Sequence, residues 1–157
     1  EKQAADLQIK EMQKQIDYDT RDFTIELLIT KFEKKDFFIP PYQRDFVWQP
    51  KNKTLFLESV FLGLPIPFMF FADCDNGKQE VIDGAQRMQT LVEFYNNQLQ
   101  LSGLKKLTKL NGFYFKDLSD TQQRKFLNKA LRIIILEEDT PTAARQDLFY
   151  RINTTEI

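Results

Sequence analysis

Apolar residues recur at two spacings along this chain, and each change of spacing marks an element. In the polar stretch 1–18, Ala4, Leu7, Ile9, Met12 and Ile16 predict a helix with a thin apolar face. Residues 22–32 carry Phe23, Ile25, Leu27, Leu28 and Phe32, and predict a short helix with Asp22 as N-cap. Phe37-Phe38-Ile39 reads as a short strand stopped by Pro40-Pro41. Pro50 precedes a helix over 51–62, striped by Phe56, Leu57, Val60 and Phe61 and capped by Gly63. Leu64-Pro65-Ile66-Pro67 is a stiff crossing into a buried strand over 68–72. Asp73 to Gly77 then forms a hairpin turn with an Asn-Gly signal, and 79–82 is its antiparallel partner.

That strand runs into Asp83-Gly84 and turns at once into a helix over 85–95, with Met88, Leu91, Val92 and Tyr95 facing inward. Residues 99–118 predict irregular or hairpin structure around Asn111-Gly112. Ser119 or Asp120 then caps a short helix over 121–127. Leu131 to Leu136 is the strongest strand, and Thr140-Pro141 starts a last helix that runs into Arg151-Ile152-Asn153. Short strands alternating with helices give an α/β (α+β) chain: a helical extension over 1–20, then one domain over 21–157. The stop at Ile157 is abrupt, and we expect a fragment of a longer protein.

Composition narrows the chemistry. The chain has 157 residues, 42% of them hydrophobic, which suits one folded domain. Fifteen Phe, several of them clustered, imply a small sheet with a thick aromatic core. A net charge of −1 means that any nucleic-acid contact needs a local basic patch. Cys74 is the only cysteine, so no internal disulfide forms, and a cytoplasmic location is expected. No apolar run approaches a membrane span, so no membrane partner is expected. There is no histidine, which removes His-metal nucleases, zinc deaminases, Ser-His hydrolases and Cys-His proteases from this chain's own chemistry.

The candidate chemistry centres on Val81-Ile82-Asp83-Gly84-Ala85-Gln86-Arg87. A strand that turns straight into a helix leaves free backbone N–H groups, which favour an anion, and Gly84 lets one approach the main chain. Arg87 lies one helical turn on and suits a phosphate fork. Asp83 admits two readings that the residues alone leave open: a cap for the helix, or a carboxylate that holds a divalent cation or orients water. Upstream, Tyr42-Gln43-Arg44 and Trp48 leave a strand end as large polar-tipped groups. Gln43 and Arg44, wedged between apolar neighbours, need a partner, whereas Trp48 reads as core. Asp73, Lys78 and Glu80 only loosely suggest a metal-nuclease cluster, because they surround a hairpin tip. No P-loop and no Gly-x-Gly-x-x-Gly is present.

Three stretches taken together, Ile39-Pro40-Pro41-Tyr42-Gln43-Arg44-Asp45-Phe46-Val47-Trp48, then Val81 to Leu91, then Phe149-Tyr150-Arg151-Ile152-Asn153-Thr154, resemble in order the signatures of one family. It is the N-terminal domain of GmrSD-type modification-dependent restriction proteins, domain of unknown function family 262, and the resemblance covers residues 21–157. It implies a ParB/sulfiredoxin-like fold, a small mixed sheet flanked by helices. It also implies a nucleoside triphosphate and Mg²⁺ handled near the Asp-Gly-Gln-Gln-Arg motif, and control of a nuclease module that acts on DNA from a linked or partner segment. Carried over by position, Asp83 and Arg87 become catalytic, with Asp83 the metal ligand. Tyr42, Gln43, Arg44, Gly84, Gln86, Arg151 and Asn153 become nucleotide-binding. Ala85 stands where the family more often has Gln, so one amide is missing from the helix start.

These observations support a nucleotide-dependent regulatory or sensor domain in which Asp83→Ala abolishes turnover and leaves folding intact. The alternative is a non-catalytic module that contacts DNA or a partner protein through the same groove. A third reading has the Gln-Arg pairs only bracing the core.

Overall fold

A computed structural model describes residues 1–14, 17–41 and 47–155, with side chains described as far as residue 152. Six helices and five strands are present among these residues: α1 (Lys2–Gln13), β1 (Tyr18–Thr24), α2 (Ile25–Glu33), β2 (Phe37–Phe38), α3 (Pro50–Leu62), β3 (Met69–Asp73), β4 (Gln79–Asp83), α4 (Ala85–Tyr95), α5 (Asp120–Leu127), β5 (Ala130–Leu136) and α6 (Thr142–Thr155). The strands form one mixed sheet in the order β1-β5-β3-β4-β2. β1 runs antiparallel to β5 and β3 antiparallel to β4, while β5 with β3 and β2 with β4 are parallel.

Alternation along the strands divides the core in two. Phe71, Val81, Ile133 and Ile135 face one side, where Ile25, Leu28 and Ile29 of α2, Leu57 and Val60 of α3, and Met88, Leu91 and Phe94 of α4 cover them. Ala72, Ile82 and Leu136 face the other side, under Leu148 and Phe149 of α6. The expected aromatic core lies on the first side, where the Phe94 ring stands 5.7 Å from Phe115 and 5.4 Å from Phe126, edge to face.

One local expectation is corrected. The helix expected over 22–32 begins later: residues 22–24 close strand β1, and α2 starts at Ile25. Its N-cap is Thr24, whose hydroxyl accepts from Leu27 N–H at 3.2 Å. The strand wins because all seven residues of β1 find partners on β5, a long-range pairing that local periodicity does not register. The segment 99–118 is irregular, one of the two forms expected of it. Two 3₁₀ turns (Thr108–Leu110 and Phe115–Asp117) hold it, and it contributes Leu101, Leu104, Phe115 and Leu118 to the core. No helix among the described residues is long and apolar enough to cross a membrane.

Glu58 on α3 anchors that segment. Its buried carboxylate accepts from the backbone N–H groups of Lys106 and Leu107, both at 2.9 Å. The Leu107 N–H, then the Lys106 N–H, hold its pKa below the usual 4.5. A carboxylate with a lowered folded-state pKa adds stability that is complete above the unfolded value and is lost as pH falls through the folded value. Thermal melts of the chain and of Glu58→Gln should therefore diverge above pH 4.5 and converge in more acid solution. Parallel curves across that range would show that the carboxylate charge contributes nothing.

Candidate functional site

The β4–α4 junction gathers the central motif. Asp83 is the last residue of β4, Gly84 is the N-cap of α4, and Arg87 lies in the first turn. The one-turn spacing puts Asp83 and Arg87 side by side. Both are buried, at 7% and 8% exposure, and Arg87 Nη2 donates to Asp83 Oδ2 at 3.1 Å. Arg87 Nη1 also donates to the Pro67 carbonyl at 2.6 Å, tying the helix to the crossing that leads into β3. The capping position belongs to Gly84, which has no side chain to satisfy the first N–H groups of α4.

Gly84 has a structural cause as well. Its φ is +113°, and a Cβ there would meet Met69 Cγ at 2.6 Å and Sδ at 2.7 Å. On that side Met69, not a ligand, comes close to the glycine. Ala85 is buried in the core, so its position presents no polar group. Gln86 Oε1 accepts from the Trp48 backbone N–H at 2.8 Å, which links the segment after residue 46 to this helix. The Trp48 ring is half-buried, 5.8 Å from Phe56 and edge to face, as the core reading expects.

Tyr42, Gln43 and Arg44 lie outside the described residues, as does the side chain of Asn153. Arg151 lies on α6 with its exposed side chain paired to Asp147 at 2.8 Å. The course of α6 places this segment. Arg145 pairs with Glu80, and Leu148 and Phe149 pack against the cluster of Ala72, Ile82 and Leu136, so α6 lies across that face of the sheet.

Arg145 is a residue the sequence reading missed. It is buried, and its guanidinium donates to the carbonyls of Asp73 (2.6 Å), Glu138 (3.0 Å) and Thr140 (3.0 Å) and to Glu80 Oε1 (3.3 Å). It clasps the ends of β3 and β5 to α6, and it takes up the Glu80 carboxylate that the nuclease-like cluster would have needed. Asp73 in turn accepts from Gln79. Nothing in the sequence set Arg145 apart from other exposed-looking helix positions.

Among the described residues no group of three or more His, Cys, Asp or Glu could hold a metal ion. A Mg²⁺ that arrives on a nucleotide asks less, since it keeps several waters and needs only one or two carboxylates beside the phosphates. Asp83 supplies one such carboxylate.

The family model described as GmrSD restriction endonuclease, N-terminal domain, matches residues 25–157. No curated protein and no solved structure matches the chain.

Proposed function

Since the chain belongs to the family of GmrSD restriction endonuclease N-terminal domains, we propose that it is a nucleotide-binding regulatory or sensor domain of a modification-dependent restriction or anti-phage defence protein, hydrolysing a nucleoside triphosphate with Mg²⁺. The observation that carries this reading is the buried Asp83–Arg87 pair at the N-terminus of α4, which has no side-chain cap. A guanidinium has five N–H donors, and among the described residues Arg87 uses one on each terminal nitrogen, toward Asp83 and the Pro67 carbonyl. The first N–H groups of α4 have no side-chain cap and favour negative charge. Asp83 fixes the fork and would hold Mg²⁺ together with phosphate oxygens and water. The metal, when bound, would offset the charge of the phosphates. Arg44, Tyr42, Gln43, Arg151 and Asn153 complete the proposed nucleotide set. DNA cleavage is left to a linked or partner module, because the chain has no histidine for a His-based centre.

Calorimetric titration with nucleoside triphosphates and Mg²⁺, alongside a phosphate-release assay, tests the reading. Arg87→Lys keeps the charge but loses the planar fork, and should weaken triphosphate binding about tenfold, equivalent to roughly 1.4 kcal/mol. Asp83→Asn should keep the hydrogen bond to Arg87 while release of phosphate stops. Duplex DNA binding with a steep salt dependence and no affinity for any triphosphate would overturn the proposal in favour of a non-catalytic module.

A further inference from the structure

β1 is an edge strand, and its outer side has no partner strand among the described residues. Which of its backbone groups face outward follows from the pairing with β5. Ile25 N–H donates to Lys129 O at 2.8 Å and Glu137 N–H donates to Asp17 O at 2.9 Å, so in this register the odd-numbered residues bond to β5. The N–H and C=O groups of Tyr18, Thr20 and Asp22 therefore point away from the sheet. A separate contact agrees with this: the Thr20 N–H, free of β5, is taken by Asp19 Oδ1 at 2.9 Å. Asp19 Oδ2 meanwhile accepts from Arg21 Nε at 3.1 Å, on the exposed surface.

We propose that this edge is where two copies of the chain join, β1 to β1 antiparallel, with Thr20 opposite Thr20 on the two-fold axis. In that register Tyr18 stands opposite Asp22 of the other copy. All three outward residues then exchange both backbone hydrogen bonds. Asp19 and Arg21 fall in the intervening, more closely spaced pairs, each opposite the other's type, so two cross-strand ion pairs form. Shifting the axis to Arg21 or to Asp19 sets like charges face to face, which disfavours those registers. Each chain keeps the same face of its sheet toward its helices, because the paired residues share parity. Asp22 retains Arg132, its own partner at 3.0 Å, and the exposed Tyr18 ring gains a neighbour. The cost is small: Asp19 releases one backbone N–H and one arginine, both exposed contacts, and regains equivalents across the axis.

Charge pairing across the axis gives a test by complementation. Sedimentation velocity of the chain at rising concentration should show a shift toward twice the mass of one chain. Asp19→Arg alone puts only cations in the facing positions, and Arg21→Asp alone puts only anions there, so each should sediment as a monomer. Mixed in equal amounts they should associate, because two cationic positions on one copy then meet two anionic ones on the other. Circular dichroism confirms that each variant is folded, and both positions are exposed enough to tolerate the change. A parent chain that stays at one mass at every concentration would overturn the proposal, as would single variants that still dimerise or a mixture that does not associate.

Discussion

Asp83→Ala is expected to destabilise the chain by about 3–5 kcal/mol, because removing one partner of a buried ion pair leaves the other charge uncompensated. Arg87 is 8% exposed, and its contact with the Pro67 carbonyl does not neutralise it. This revises the sequence-based expectation that the variant would fold as before. Urea denaturation measures the loss, and a double-mutant cycle assigns it. Arg87→Met combined with Asp83→Ala removes both charges and keeps most of the side-chain volume, so the double variant should recover most of the stability lost by Asp83→Ala alone. If the double variant falls by the sum of the two single losses, the residues act independently and the pair is not the cause.

The same geometry bears on function. A carboxylate near a phosphate repels it, by about 1 kcal/mol in water at 4 Å and more where water is excluded. Asp83 and Arg87 nearly cancel one another, so the junction by itself offers an anion hydrogen-bond donors more than net positive charge. A triphosphate held here depends on further cations, and Mg²⁺, Arg44 and Arg151 are the proposed sources. For this reason Asp83→Ala cannot serve as the test of hydrolysis: lost turnover and a lost fold would look alike. Asp83→Asn keeps an acceptor for Arg87 but not the charge, so its turnover is read on protein that circular dichroism shows to be folded.

Much of the architecture was legible in the sequence where one short stretch decides it. Gly63 ends α3 in a left-handed cap, Asn76-Gly77 turns the β3–β4 hairpin and Ser119 caps α5, each within a few residues of the signal that predicts it. What stayed hidden depends on distant partners. The end of β1, residues 22–24, reads as part of a helix because Phe23, Ile25, Leu27 and Leu28 have helical spacing. It is a strand because β5, more than a hundred residues away, supplies its hydrogen bonds. Arg145 and Glu58 looked like ordinary surface charges, since their acceptors and donors are backbone groups of remote loops. At the junction, the motif gave the residues and their one-turn spacing, and the pairing of Asp83 with Arg87 follows from that spacing. The contact with Pro67 and the closeness of Met69 to Gly84 do not, because they come from the packing of β3 beside β4.

Gly84→Ala tests that last point, and should cost about 2–5 kcal/mol in two separable parts. One part is conformational: at φ +113° an L side chain is strained, by roughly 1–2 kcal/mol. The other is steric, since the added methyl would lie 2.6 Å from Met69 Cγ and 2.7 Å from its sulfur, and crowding of a packed core costs about 1–3 kcal/mol. Met69 is fully buried, and its truncation to Ala would by itself cost about 2–5 kcal/mol through the cavity it leaves. In the double variant the new methyl enters that cavity, so the two losses should sum to less than their separate values by about the steric part. Strict additivity would mean that the glycine is required for its backbone conformation alone. An anion role for Gly84 makes a different demand, because it needs the backbone N–H groups beyond Gly84 rather than the side that Met69 fills. A Gly84→Ala chain that loses stability but, while still folded, binds triphosphate as the parent does would place the glycine's requirement in the packing of β3 against the junction. Loss of binding from the folded variant would place it in the path of the phosphate.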